Sequence, residues 1–193
     1  MAGGVGQAAP KALVLRAAGT NCDEETVHAL ELAGASVQLM HVNALSESPE
    51  ILEEVGLLAI PGGFTFGDDV ASGAVLAHIL EKRLSKELHA FVERGGLVVG
   101  ICNGFQVLVK TGLLPGIDDA RVSLTWNDTH RFECRWSRLL ADPALDAILP
   151  AGTILPAGTA HAEGKFVVES EETLQRLEQA SASREPCRRR RGA

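Results

Sequence analysis

Four short apolar runs separated by more polar stretches do most to constrain the fold of this chain. The runs are Lys11–Ala17, Ser36–Val42, Leu57–Ile60 and Leu97–Ile101. Runs of this length that alternate with helical stretches are typical of parallel strands buried on both faces. The pattern therefore predicts an α/β fold with an open, mostly parallel sheet and helices on both of its faces.

The stretches between and after these runs predict the helices. A helix that ends at Gly34 follows the first run, and Asn21 or Asp23 can cap its start. Further helices are predicted at Ser72–Leu80, Leu84–Arg94, Gly104–Lys110 and Glu171–Gln179. Beyond about residue 120 the sequence changes in character, and Leu124–Leu139, rich in Trp, Phe and Arg, predicts strands of a more irregular region.

Composition and charge exclude several classes of protein. Apolar residues make up 46% of the 193 residues, which is enough for one packed domain. The formal net charge of −7 argues against a nucleic-acid-binding surface. No apolar run approaches the roughly 18–20 residues that span a bilayer, and the first residues lack the features of a secretion signal. We therefore expect a cytoplasmic protein that binds neither nucleic acid nor a membrane.

The cysteines do not form a pattern typical of disulfides or metal sites. They lie at the widely separated positions Cys22, Cys102, Cys134 and Cys187. This spacing gives neither a CxxC pair nor a dense framework, so we expect free thiols. No cluster of His, Cys and Asp has metal-ligand spacing, and the sequence predicts no metal in this chain.

Three segments are predicted along the chain: a flexible arm at 1–10, one domain at 11–180 and a basic tail at 181–193. The arm is rich in Ala and Gly and has little to bury. The tail carries five arginines against one glutamate, a run that cannot join a core and that predicts disorder. Such a tail can contact phosphate or an acidic partner, but an unstructured tail without a function is the interpretation we favour.

A cysteine at a strand-to-helix turn is the most informative feature of the sequence. The fourth apolar run leads through Gly100, Cys102 and Gly104 into a predicted helix. This G-x-C-x-G pattern is that of a nucleophile elbow in which Cys replaces Ser. Cys102 would project at the carboxyl end of its strand, where the helix N-terminus stabilises negative charge. Spacing alone leaves a buried, inert cysteine as an equal alternative to a nucleophile, so the neighbouring motifs are needed to distinguish the two.

A glycine-rich turn directly after the third apolar run is the second informative element. It reads PGGFTFGDD at residues 61–69, and the N–H groups at Gly62 and Gly63 can turn towards a bound carbonyl, as an oxyanion hole requires. Turns commonly use glycine, so the stretch alone is weak evidence. It matches neither a Walker A loop nor GxGxxG, and nucleotide binding is not indicated. Asp68 and Asp69 are interpreted as helix caps, with orientation of a substrate amine as the alternative.

Taken together, these stretches resemble the glutaminase subunits of phosphoribosylformylglycinamidine synthase, which are triad-type (class I) glutamine amidotransferases. The matching pieces are Gly19–Asp23, the stretch at 61–69, Gly73 with Ala74, the stretch at 100–116, Asn127–Trp136 and His161–Phe166. The resemblance covers about residues 11–178. Phe64 after the glycines and Asn103 after the cysteine are typical of this subfamily rather than of other amidotransferases.

The resemblance implies a flavodoxin-like fold and hydrolysis of glutamine, with the ammonia passed to a large formylglycinamidine synthetase subunit. Cys102 would be the nucleophile, and the N–H groups of Gly63 and Asn103 would hold the oxyanion. Gln106 would help to hold the substrate, with a solvated helix side chain as the alternative. A small accessory subunit is a further expected partner. No cofactor is expected in this chain, since ATP and Mg²⁺ belong to the synthetase partner.

The general base is where the sequence departs from the family. A cysteine nucleophile of this kind needs a histidine and a carboxylate that orients it. The resemblance puts this pair in a later segment that reads M-P-H-P-E, which this sequence does not contain. Our hypothesis is a shifted reading frame or a truncated gene model, and sequencing past the codon for Ala180 without finding that segment in any frame would refute it. His161 and Glu163 are the possible surrogate base pair.

Two other functions stay open at this point. The chain could be a noncatalytic subunit that docks on the synthetase without delivering ammonia, or a single-domain cysteine hydrolase. A reconstituted complex fed with glutamine or with ammonium separates the first from the glutaminase, because only glutamine-dependent synthesis needs Cys102. Failure to bind any synthetase subunit would favour the hydrolase.

Overall fold

The computed structural model describes residues 8–117, 119–141 and 149–183, with side chains up to residue 179. It divides between Leu114 and Pro115 into two compact units, here called unit 1 and unit 2. The predicted flexible arm is described from residue 8, and residues 8–10 are exposed. The predicted basic tail begins at residue 181, but the last helix continues to Ser183, and the remainder of the tail lies outside the described residues.

Unit 1 contains a four-stranded parallel sheet. Its strands are β1 (Lys11–Arg16), β2 (Ser36–His41), β3 (Leu57–Ile60) and β4 (Leu97–Gly100). They lie in the order β2-β1-β3-β4. The chain moves in opposite directions from β1 to β2 and from β3 to β4, so right-handed crossovers place their helices on opposite faces. The predicted α/β architecture is confirmed, and its switch point lies between β1 and β3, where open sheets of this kind bind ligands.

Five α-helices connect and follow these strands. They are α1 (Asp23–Leu32), α2 (Val42–Glu47), α3 (Ile51–Glu54), α4 (Ala74–Glu93) and α5 (Asn103–Lys110). The sequence predicts two helices where the structure has the single helix α4. Residues 81–83 are charged and exposed, but Leu80 and Leu84 on either side are fully buried and four residues apart. A buried stripe of this spacing continues one helix through the charged segment, because nothing in that segment breaks it.

The core of unit 1 is formed between the sheet and α4. Leu13 and Leu15 of the central strand β1 are buried in the same apolar cluster as Phe91 of α4, and Val14 between them is buried as well. The outer strand β4 differs, since Leu97 is 46% exposed. Within the described residues β4 pairs with β3 alone. The carboxyl ends of β1, β3 and β4 are therefore neighbours, which brings the loops that follow them together.

Unit 2 contains two antiparallel strand pairs and a helix. Strand β5 (Val122–Thr125) pairs with β8 (Lys165–Val168), and β6 (Glu133–Leu140) pairs with β7 (Ile154–His161). Helix α6 spans Glu171–Ser183. The strands predicted in this region are present. Trp126 and Trp136 are 52% and 80% exposed, so neither side chain is part of a core. No helix of the described segments is both long and apolar enough to cross a bilayer.

Candidate active site

Cys102 lies at the turn between β4 and α5 in a strained backbone conformation. Its φ is 52° and its ψ is −110°, backbone angles that residues other than glycine rarely adopt. Strain of this kind is concentrated at functional sites. The thiol is exposed, so the alternative of a buried, inert cysteine is wrong.

Gly104 allows this turn because it packs against the end of β3. A Cβ at Gly104 would lie 1.9 Å from the carbonyl oxygen of Ile60, a distance no side chain tolerates. The N–H of Gly104 donates to the carbonyl of Ile101 over 2.8 Å and closes the turn. The G-x-C-x-G spacing therefore presents the Cys102 sulfur at the carboxyl edge of the sheet, as the sequence predicts.

The loop after β3 lies beside Cys102. A Cβ at Gly62 would lie 3.3 Å from the Cβ of Cys102 and 3.8 Å from the Sγ of Cys22. Gly63 has a φ of 142° and would place a Cβ 2.6 Å from the amide nitrogen of Asn21, so only glycine fits there. The loop after β3 and the loop after β1 thus meet at the switch point of the sheet.

Two N–H groups at this meeting point are candidates for an oxyanion hole. The bridge between the two loops uses the bond from Asn21 N–H to Gly62 O and that from Phe64 N–H to Gly19 O. Neither bond involves the N–H of Gly63. Asn103 is the first residue of α5, and N–H groups in the first turn of a helix have no acceptor within it. Donors of this kind next to a nucleophile can stabilise a tetrahedral oxyanion.

The side chain of Asn103 is fully buried and forms a network that the sequence did not predict. Its Oδ1 accepts from the N–H of Thr65 over 3.2 Å and from the Thr65 hydroxyl over 2.7 Å. Its Nδ2 donates to Asp68 Oδ1 and to Gln106 Oε1, both over 3.1 Å. Asp68 Oδ1 also accepts from the N–H of Gly73, the residue before α4, so its carboxylate serves this network as well as the start of a helix.

Gln106 is buried rather than solvated, and the interpretation as a solvated helix side chain is wrong. It is 8% exposed, and its Oε1 accepts from Asn103. Contact with a substrate stays a prediction for this residue. A sequence signal for the network was present, since Thr65 and Asp68 follow the glycines and Asn103 follows the nucleophile. What the sequence could not show is that these residues, 35 to 38 positions apart, share hydrogen bonds.

A second thiol, that of Cys22, lies against the same glycine as Cys102. Cys22 is exposed and precedes α1. Partial burial raises the pKa of the Cys22 thiol, and negative charge on Glu25, Cys102 and Asp23 raises it further. Cys22 is therefore held in the neutral thiol form over a wider pH range than an ordinary cysteine.

His161 and Glu163, the predicted surrogate pair, lie in unit 2, and His161 is oriented by Asn127. Asn127 is buried, and its Nδ2 donates to the carbonyls of Arg131 and His161 over 3.0 and 2.9 Å. Its Oδ1 must therefore accept, and it lies 3.1 Å from His161 Nδ1. A carbonyl oxygen cannot donate, so in the neutral ring Nδ1 carries the proton and Nε2 is the unprotonated nitrogen.

The His161 ring lines a polar cavity of about 390 Å³ together with Asn127, Glu133 and Lys165. Gly164 packs against the His161 ring, since a Cβ at Gly164 would lie 2.0 Å from His161 Cε1. The sequence alone does not indicate this role for Asn127, because 34 positions separate it from the histidine. A role as surrogate base for Cys102 stays a prediction. Within the described residues no group of three or more His, Cys, Asp or Glu side chains could hold a metal ion.

Comparison with known proteins matches most of the chain to one family. A family model of the CobB/CobQ-like glutamine amidotransferase domain matches residues 9–184. A curated relative from Dehalococcoides mccartyi, the phosphoribosylformylglycinamidine synthase subunit PurQ, is 46% identical over 162 residues. A relative of the same name from Methanococcus maripaludis is 38% identical over 161 residues. Each alignment covers 81% of this chain, whereas the chain spans 63% and 60% of the two relatives' own length.

A solved structure agrees with the sequence comparison. The structure of PurLQS from Thermotoga maritima contains a chain that superimposes with a TM-score of 0.69 at 31% sequence identity. The superposition covers 85% of this chain and 72% of that chain. The sequence comparison and the structural superposition therefore agree on the family and the fold.

Proposed function

Because the chain belongs to the CobB/CobQ-like glutamine amidotransferase domain family, we propose that it hydrolyses glutamine to glutamate and ammonia. The ammonia is supplied to a synthetase partner that forms formylglycinamidine ribonucleotide in purine biosynthesis. The observation that carries this proposal is the exposed Cys102 thiol at a strained elbow. It lies beside the backbone of Gly62 and Gly63 and directly before the N-terminus of α5.

The chemistry begins with attack of the Cys102 sulfur on the side-chain carboxamide carbon of glutamine. The carbonyl oxygen becomes an oxyanion, which the N–H groups of Gly63 and Asn103 stabilise. The tetrahedral intermediate collapses when its amino group takes up the proton that the Cys102 thiol has given up and leaves as ammonia, and a glutamyl thioester remains on Cys102. Attack by water on the thioester releases glutamate and returns the thiol. Both steps pass through an oxyanion, so the same two donors serve each of them.

The proposal includes the expected partners. Two relatives are named as subunits of a synthase, and the solved neighbour is a complex named PurLQS. This supports a large synthetase subunit as the acceptor of the ammonia and a small accessory subunit as a further member of the assembly. ATP and Mg²⁺ belong to the synthetase reaction and not to this chain, and the reaction is expected in the cytoplasm.

The test is covalent labelling of the full chain with a glutamine analogue that carries a chloroketone in place of the carboxamide. We expect mass spectrometry to find the label on Cys102, and we expect added glutamine to slow the labelling. Iodoacetamide serves as the reference electrophile, since it does not need a glutamine pocket. Labelling of Cys134 at the same rate as Cys102, or labelling that glutamine does not slow, would contradict the proposal.

A second measurement separates a glutaminase from a noncatalytic subunit. In a complex reconstituted with the synthetase, we expect Cys102→Ser to abolish glutamine-dependent synthesis and to leave ammonium-dependent synthesis intact. Synthesis that depends on ammonium alone in the wild-type complex would show that the chain does not deliver ammonia. The glutamyl thioester is followed as a mass increase on Cys102, and its lifetime measures how fast water completes the reaction.

A further inference from the structure

The loop that follows Gly62 and Gly63 has strained backbone at three consecutive residues. Phe66, Gly67 and Asp68 have φ values of 54°, 72° and 53°. Two of them are not glycine, and left-handed backbone is unfavourable for such residues. A loop in this conformation persists only where surrounding contacts hold it.

The buried amide of Asn103 supplies contacts to both ends of this strained loop. Its Oδ1 binds Thr65, just before the three residues, and its Nδ2 binds Asp68, the last of them. The same Nδ2 also binds Gln106, one turn along α5. One side chain therefore joins the strained loop to the helix that begins at the nucleophile.

Asparagine is the residue that fits these contacts. The network needs an acceptor atom for the N–H and the hydroxyl of Thr65 and a donor group for Asp68 and Gln106. A carboxylate of the same shape would accept from Thr65 but would donate to neither partner and would repel Asp68. An aliphatic side chain would leave buried polar groups without partners, which is costly.

The position of this network relates it to the chemistry. Thr65 follows Gly63 by two residues, and Asn103 follows Cys102 directly. Fixing Thr65 on Asn103 therefore fixes the N–H of Gly63 relative to the nucleophile. We propose that the Asn103 side chain is a positioning residue that latches residues 65–68, which include the three strained residues, onto the elbow and so sets the oxyanion donors relative to the Cys102 sulfur. This inference rests on the proposed glutaminase function and concerns the side chain, whereas the oxyanion donor is the backbone N–H of the same residue.

The test uses isosteric variants of the full chain and two readouts. Asn103→Asp removes both donated bonds, and Thr65→Val removes the hydroxyl. The first readout is the hydrogen exchange of the amides of Thr65 and Gly73, which measures whether the loop is held. The second is the ratio of the Cys102 labelling rates with the glutamine-like chloroketone and with iodoacetamide, which measures positioning rather than thiol exposure.

We expect Asn103→Asp and Thr65→Val to speed exchange at these amides and to lower the labelling ratio by about tenfold or more. Thr65→Ser keeps the hydroxyl and should rescue both readouts. Thr111→Val is the matched control, because it removes a hydroxyl that donates over 3.0 Å to the carbonyl of Leu108 at the other end of α5. It should leave the ratio unchanged.

Each outcome decides the inference. If Asn103→Asp does not fold, the pair Thr65→Val and Thr65→Ser gives the same comparison. Faster exchange with an unchanged labelling ratio would show a merely structural role and would overturn the inference, as would unchanged exchange in both variants. If the wild-type chain shows no glutamine-protected labelling, the proposed function fails, while the exchange data still decide whether the latch exists.

Discussion

The close packing of α5 against the end of β3 gives the sharpest stability prediction. In Gly104→Ala the new Cβ would lie 1.9 Å from Ile60 O and 2.6 Å from the carbon of the same carbonyl. Both are backbone atoms, so relief requires the helix and the strand end to move apart by more than 1 Å. Overpacking of this kind costs roughly 1–3 kcal/mol, and the better helix propensity of alanine returns up to about 1 kcal/mol. Because the 1.9 Å contact is with a backbone atom, the cost lies at the upper end of this range, and we expect a net loss of about 2 kcal/mol in the free energy of unfolding.

Gly56→Ala is the matched control for this change. A Cβ at Gly56 would have Lys11 O at 4.0 Å as its nearest neighbour, and its φ lies outside the left-handed region. The control should be neutral or more stable by about 0.4–1 kcal/mol, because alanine restricts the unfolded chain. Urea denaturation followed by far-UV circular dichroism measures both variants, and iodoacetamide labelling of Cys102 reports whether the elbow has moved. Equal stability of Gly104→Ala and the wild type, with an unchanged labelling rate, would refute the packing argument.

Two further predictions concern titration and tautomer state. Since the pKa of Cys22 is raised by burial and then by Glu25, alkylation of Cys22 should set in at higher pH than that of an ordinary cysteine. Glu25→Gln should move the onset of Cys22 alkylation to lower pH, which peptide mapping across a pH series measures. An onset that Glu25→Gln leaves unchanged would contradict the contribution of Glu25 to the raised pKa. Neutral His161 should carry its proton on Nδ1, because Asn127 Oδ1 can only accept. Long-range proton–nitrogen correlation spectra identify the protonated nitrogen, and a signal for protonated Nε2 would contradict the orientation of Asn127.

The sheet of unit 1 could be predicted because each strand depends on its own apolar residues. β1 and β3 are buried, and their runs read as continuous apolar sequence. The single helix α4 could not be predicted as reliably. Its charged segment at 81–83 resembles a break, and only the burial of Leu80 and Leu84 on one face shows that the helix continues.

Part of the candidate site could likewise be predicted from the sequence, and part could not. Cys102 and Gly104 are close in sequence, and their spacing is enough to predict the elbow. The hydrogen bonds of Asn103 to Thr65 and Asp68 bridge two loops that follow different strands, so they exist only once the sheet has formed. The orientation of His161 by Asn127 depends in the same way on contacts across unit 2.

The exposure of both tryptophans in unit 2 has a practical consequence for fluorescence. The chain contains two tryptophans and no tyrosine, and both tryptophans lie outside the unit that carries the nucleophile. Intrinsic tryptophan emission therefore comes from unit 2, and unit 1, which carries Cys102, has no tryptophan of its own. A tryptophan introduced by Phe64→Trp, at a position 59% exposed and directly after Gly63, would give the glycine loop an optical reporter of its own.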